Sequence, residues 1–144
     1  MTKGHAIGHA IFATLYVIQV AVSVVFFNSA GLWWLVYAGC ITFAFGLILL
    51  LWASRARRRG GFVTSGPYAL VRHPEFLGHI LVIVSLILLA QHAMSLITGA
   101  VLITLLYFAM IEEERRNVEK FGDAYLEYMK RVPRVNLLKG LRKF

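Results

Sequence analysis

Residues 76–111 read FLGHILVIVSLILLAQHAMSLITGAVLITLLYFAMI, thirty-six positions without a lysine, arginine, aspartate or glutamate. As one helix rising 1.5 Å per residue this run extends about 54 Å, far beyond the ~30 Å hydrocarbon core of a bilayer. The polar pair Gln91-His92 near its middle divides it into two short spans, 76–90 and 94–111, joined by a tight turn. Upstream, 7–27 and 32–52 are two further nearly uncharged runs of bilayer-spanning length, with Asn28, Ser29, Ala30 and Gly31 turning between them. The expected fold is therefore all-α: a polytopic membrane bundle of about four helices in one domain, with a helical tail.

Composition agrees. Of 144 residues, 59% are hydrophobic, against about 45–50% in soluble domains, and the mean hydropathy is +0.71. No soluble catalytic domain fits in what is left. The formal charge of +8 gathers in Arg55, Arg57, Arg58 and Arg59 and in 115–143. Placed beside membrane spans, these clusters suit anionic lipid head groups, not nucleic acid. Basic residues resist translocation, so the loop 53–73 and the tail 112–144 belong in the cytoplasm. With four spans and Lys3 at the start, both termini share that side. The first run lacks a cleavage site and reads as a retained span.

Beyond Ile111 the tail changes character. Residues 112–120 read as a charged helix leaving the membrane, with Glu112 and Arg116 paired at i,i+4. Gly122-Asp123 ends it and caps a second helix at Asp123. Phe121, Tyr125, Tyr128 and Val132 form one stripe, suited to the bilayer interface or to folding back over the loop, and Pro133 stops the helix.

Chemistry concentrates at two places. In the loop, Gly66-Pro67 signals a turn, and Pro74 suits the first position of a helix, where its missing donor costs nothing. Arg72 and His73 beside that helix start favour an anion, or simply anchor the helix at the head groups. At the far end of the last span stand Glu112, Glu113 and Glu114. Ionisable groups at a membrane boundary need partners, and at 3.6 residues per turn the three diverge, so only one or two face the bundle. His5 and His9, spaced i,i+4, lack carboxylate or thiolate companions and are not taken as a metal site. Gln19 and Ser23 are expected to glue helices, Trp33-Trp34 to lie at the interface, and Cys40 to be a small buried hydrophobe.

Taken in order, Gly66-Pro67-Tyr68, Arg72-His73-Pro74-Glu75-Phe76-Leu77-Gly78, a hydrophobic hairpin, Glu113-Glu114, Phe121-Gly122, Tyr125, Tyr128 and Arg131-Val132-Pro133-Arg134 resemble the isoprenylcysteine carboxyl methyltransferases and their phospholipid methyltransferase relatives. The resemblance covers Gly61 to Leu141; the first two spans match only in hydrophobicity. It implies an integral membrane enzyme using S-adenosyl-L-methionine and methylating a lipid-like acceptor that enters from the bilayer. By motif position it implies that Tyr68, His73, Pro74, Glu75, Phe76 and Glu113 contact the cofactor, with Phe62 and Val63 lining its adenosine and Arg72 beside its carboxylate. Glu113, Glu114 and Arg116 are the catalytic candidates.

Departures from the pattern are specific. Phe76 replaces a usual tyrosine, Asn117 a common leucine, and Ala109 an arginine that prenylcysteine methyltransferases carry one turn before Glu113. An amino-lipid N-methyltransferase is accordingly the second enzymatic reading. A non-enzymatic adaptor with a lipid-binding tail is the third, and it leaves the order of the motifs unexplained. A sterol-type reductase ranks last, since the chain has no glycine-rich dinucleotide fingerprint.

Overall fold

A computed structural model describes residues 3–58 and 60–142, and the side chains of all of these except 3–7 and 9. The paired imidazoles of His5 and His9 thus lie outside the described residues, as do Arg59 and Lys143. Seven helices follow one another: α1 (Lys3–Val25), α2 (Trp33–Arg57), α3 (Pro67–Leu70), α4 (Pro74–Ala90), α5 (Ala93–Phe121), α6 (Asp123–Arg131) and α7 (Leu137–Leu141), with no strand among the described residues. They divide into two compact units, one of Met1–Ala44 and Ile80–Tyr107, the other of Phe45–His79 and Phe108–Phe144.

Of the four expected spans, two are long and apolar enough to cross a membrane, α2 and α5. The apolar stretch Ala10–Val25 and helix α4 are shorter. For α4 the reason is length, since its seventeen residues rise only about 26 Å, whereas α1 as a whole runs to twenty-three residues. Large apolar side chains nonetheless face outward, among them Tyr37, Phe45, Ile48, Ile97 and Phe108, each more than half exposed. So many exposed side chains of this kind suit a lipid surround. Cys40 is exposed on α2 as well, against expectation. An apolar run in a membrane helix does not distinguish the face toward lipid from the face toward protein.

Within the first unit the polar residues of α1 do join helices. The Gln19 amide nitrogen donates to Ser95 Oγ at 2.9 Å, Ser23 Oγ donates to the Gln19 carbonyl at 2.8 Å, and Thr98 donates to the Gln19 side-chain oxygen. Gln19 and Ser95 are fully buried. In an apolar surround such bonds are worth roughly 0.6–2 kcal/mol each. The two turns without basic residues lie side by side. Asn28 N–H donates to Leu89 O at 2.8 Å, and the Gln91 side chain pairs with both the N–H and the C=O of Leu32, at 3.0 and 2.9 Å. Asn28 and Gln91 take left-handed backbone conformations, φ 53° and 56°, which lets each helix stop within a residue or two.

In the second unit, Gly78 lets α4 press against α2. A Cβ there would stand 2.7 Å from Leu50 Cγ and 3.1 Å from the Gly46 carbonyl oxygen. Gly78→Ala is therefore expected to cost about 1–3 kcal/mol through overpacking, seen as a lower thermal midpoint in detergent. Gly8→Ala, which would meet nothing within 4 Å, serves as the neutral control; equal midpoints for the two variants would mean that the contact yields freely.

Helix α4 begins at Pro74, as expected. Gly122, not Asp123, occupies the cap of α6; its φ of 55° suits glycine, and no side chain caps that end. Asp123 falls one residue inside the helix, where it faces the favourable end of the dipole. The aromatic stripe folds back over the loop: Phe62 stacks on Phe121 at 5.0 Å and meets Tyr125 and Tyr128 at 5.6 and 5.3 Å. Two short helices escaped the sequence reading. The four-residue α3 starts at Pro67 with Gly66 at its cap, and α7 is capped by Asn136, whose side chain accepts from Lys139 N–H at 3.0 Å. Gly140 is buried where a Cβ would collide with the Leu70 carbonyl, so α7 docks on α3 backbone to backbone.

Candidate functional site

Helix α5 carries its three acids out of the apolar run, and at 100° per residue they separate as expected. Glu112 pairs with Arg115 at 3.0 Å and lies 4.0 Å from Arg116 Nε. Glu113 and Glu114 face inward within the second unit, each into a different cluster.

Glu114 is almost wholly buried, 5% exposed. Its Oε1 accepts from His73 Nε2 at 3.1 Å and Arg134 Nε at 3.0 Å and forms an ion pair with Arg72 Nη2 at 3.0 Å, and its Oε2 accepts from Arg134 Nη2 at 2.6 Å. Arg134 thus grips the carboxylate with both arms of its fork, the strong bidentate geometry. Backbone bonds fix the same junction: Arg72 N–H donates to Pro133 O at 2.9 Å and His73 N–H to Arg134 O at 3.1 Å. Tyr128 hydroxyl adds a bond to the Tyr68 carbonyl at 2.6 Å. The tail is laced to the loop over its whole approach.

Burial pushes the His73 imidazole below its ordinary value; Glu114 opposes this, and the Arg72 and Arg134 guanidiniums reinforce it. His73 is therefore neutral at pH 7, donating Nε2–H to a carboxylate already balanced by two arginines. The unfolded chain binds the proton near its ordinary value of about 6.5 and the folded chain does not, so stability falls as pH drops below that value. Thermal midpoints followed from pH 7.5 to 5.5 are expected to decline less steeply for His73→Gln than for the parent. Parallel profiles would remove His73 as the cause.

The second cluster is more open. Arg57 pairs with Glu75, and its other arm lies 3.7 Å from Glu113 Oε1. Glu75 and Glu113 side chains are 23% and 27% exposed, and Arg57, at 57%, lies on the solvent side. Burial pushes the nearby Tyr68 hydroxyl up to about 12, with Glu75 adding to the shift and Arg57 opposing it. Tyr68 stays a neutral donor. Between the loop and α6, a groove of about 590 Å³ is lined by Phe62, Thr64, Ala69, Glu127, Tyr128 and Arg131, among others. That volume is within the usual range of small-molecule sites.

The structure thus brings Tyr68, Glu75 and Glu113 together in one cluster, and Arg72, His73 and Glu114 in the other. Pro74 is buried at the start of α4, and Phe76 meets the His73 ring edge-on at 5.4 Å. Val63 is half-buried beside Phe62, and Arg116, with Nε 3.4 Å from the Glu112 carbonyl, is also near enough for its charge to favour the Glu113 carboxylate. Arg57 and Arg134 are the participants the site reading missed. Arg134 stood in the tail motif without an assigned partner, and Arg57 was hidden in a basic run that reads as a head-group anchor.

The family model of the isoprenylcysteine carboxyl methyltransferases matches residues 20–120, well over half of the chain. The chain belongs to the isoprenylcysteine carboxyl methyltransferase family. Its general class is thereby a membrane methyltransferase of the isoprenylcysteine type. The match takes in α2, the loop, α4 and nearly all of α5, including both inward-facing acids; the tail that supplies Arg134 lies beyond it. No curated protein and no solved structure matches the chain.

Proposed function

We propose that the chain is an S-adenosyl-L-methionine-dependent methyltransferase of lipid-like acceptors, with the cofactor held between the loop before α4 and the end of α5 and tail. One observation carries this reading. The two inward acids on consecutive residues of α5 sit in clusters of opposite net charge: one arginine against Glu75 and Glu113, two arginines and a neutral His73 against Glu114. The amino-acid end of the cofactor is a zwitterion, and such a pair suits it, with ammonium toward Glu113 and Glu75 and carboxylate toward the arginine side. Phe62, Tyr68 and Tyr128 offer aromatic surface for adenine and sulfonium. The donor set fits the group.

When bound, the cofactor supplies an electrophilic methyl group for in-line displacement. The residues of the chain have to align the acceptor and exclude water. A carboxylate acceptor needs no base. An amine acceptor has to lose a proton, and Glu113 is placed to take it, since Glu114 is enclosed by its partners. The same reading keeps four crossings with both termini cytoplasmic; the paired turns at 28–31 and 91–92, free of lysine and arginine, support a shared opposite face. Calorimetric titration of purified protein with S-adenosylmethionine and with its demethylated product tests the proposal. Absence of binding by both overturns it.

Ala109 favours the amino-lipid version. It leaves α5 without a cation one turn before Glu113, so that on this helix only Arg116, one turn after Glu113, could take that arginine's place. A carboxylate acceptor that loses a charge-assisted hydrogen bond forfeits about 1.5–3 kcal/mol, roughly ten- to a hundredfold in rate. Radiolabelled methyl transfer is expected to favour phosphatidylethanolamine over a prenylated cysteine analogue, with Ala109→Arg improving the latter. Efficient prenylcysteine methylation that survives Arg116→Ala would reverse this assignment.

A further inference from the structure

Helix α7 exposes Leu137, Leu138 and Leu141, at 38%, 74% and 51%, although it lies in the charged tail outside every apolar run. At 3.6 residues per turn these three positions fall within about 100° of arc, so they form one face. The helix is fixed in that pose. Gly140 abuts the Leu70 carbonyl with no room for a Cβ, and Asn136 caps the start. Exposed Arg142 and Lys139 lie along one edge of the leucine face. From Asp123 to Arg142 the tail carries five basic residues, Lys130, Arg131, Arg134, Lys139 and Arg142, against two acids, Asp123 and Glu127.

Where α7 sits within its unit matters as much as what it exposes. Trp52, half-exposed near the end of α2, stands where an interfacial aromatic belongs, and a Cβ on Gly66 would be 3.6 Å from its indole Nε1. Gly66 opens α3, whose other end, Leu70, holds Gly140. Four helical residues, about 6 Å, therefore separate the Trp52 contact from the α7 contact. We propose that α7 is an interfacial anchor that seats its three leucines at the acyl boundary of an anionic bilayer, with Lys139 and Arg142 at the lipid phosphates. The occupant follows from charge and place: leucines edged by basic residues, one four-residue helix away from a tryptophan at the end of a membrane span, suit negatively charged lipid. This does not depend on the methyl-transfer reading.

The test uses full-length protein with Cys40→Ser, Leu138→Cys labelled with an environment-sensitive fluorophore, and reconstitution into phosphatidylcholine vesicles with and without phosphatidylserine. Leu138 is three-quarters exposed, so its replacement leaves the fold alone; Leu141→Cys is the duplicate. The expected result is blue-shifted emission quenched by spin-labelled lipid, stronger with phosphatidylserine, and loss of most of that increment in Lys139→Glu/Arg142→Glu. Emission characteristic of water, quenched by iodide in both vesicle types, overturns the proposal. Protection that instead rises with protein-to-lipid ratio and ignores lipid charge overturns it too, by making the occupant a second copy.

Discussion

Replacing Glu114 with alanine is expected to destabilise the second unit by about 3–5 kcal/mol, the largest effect of any single substitution here. A buried pair broken from one side leaves uncompensated charge behind. In this case two guanidiniums lose their common partner, and the Arg72 side chain is only 9% exposed. Its Nε already lacks a hydrogen-bond partner, which leaves Arg72 only the bond from Nη1 to the Met129 carbonyl at 3.3 Å and no negative charge. The loss is expected as a much lower thermal midpoint and fast proteolysis of the tail, while Glu112→Ala, on the solvent side of the same helix, stays within about 0.5 kcal/mol of the parent. Should Glu114→Ala melt with the parent, the cluster would be ornamental to the fold.

Glu113→Ala is expected to do the reverse: keep the fold and lose the ligand. Its carboxylate is partly open and 3.7 Å from an arginine that keeps Glu75 as its main partner, so removal strands no charge. A charge-assisted hydrogen bond to the cofactor ammonium is worth about 1.5–3 kcal/mol, hence roughly a ten- to hundredfold rise in the Kd for S-adenosylmethionine, with the melting temperature unchanged. Calorimetry on both variants separates the roles of neighbouring acids. Unaltered affinity in Glu113→Ala would take the cofactor role away from Glu113.

The contrast shows what a linear pattern reveals. Divergence of Glu112, Glu113 and Glu114 follows from helix geometry alone, as the start of α4 at Pro74 follows from its missing donor, and the stripe of Phe121, Tyr125 and Tyr128 from its spacing, though spacing left open whether it meets the bilayer or the loop. The destination of each acid follows from none of these. Arg134 reaches Glu114 across a helix reversal at Gly122, and Arg57 reaches Glu75 from the end of α2, and no periodicity encodes either contact. Helices α3 and α7, at four and five residues, are too short to display a period. Charge-free runs marked the membrane helices, and the polar pair Gln91-His92 marked the end of α4 at Ala90. Hydropathy also missed the orientation of Cys40, since lipid and protein interior are alike in polarity.

The lacing of Arg72 and His73 to Pro133 and Arg134 has a consequence for how this chain is inherited and cut. The family-model match ends at residue 120, a natural place to trim a clone or to call the rest a dispensable appendage, although the ordered motifs run on to Arg134. Yet a polypeptide shortened to Val132 would retain every matched position and lose Arg134, the fork that neutralises Glu114. The matched stretch is shorter than the stretch that the Glu114 cluster needs, which reaches at least to Arg134.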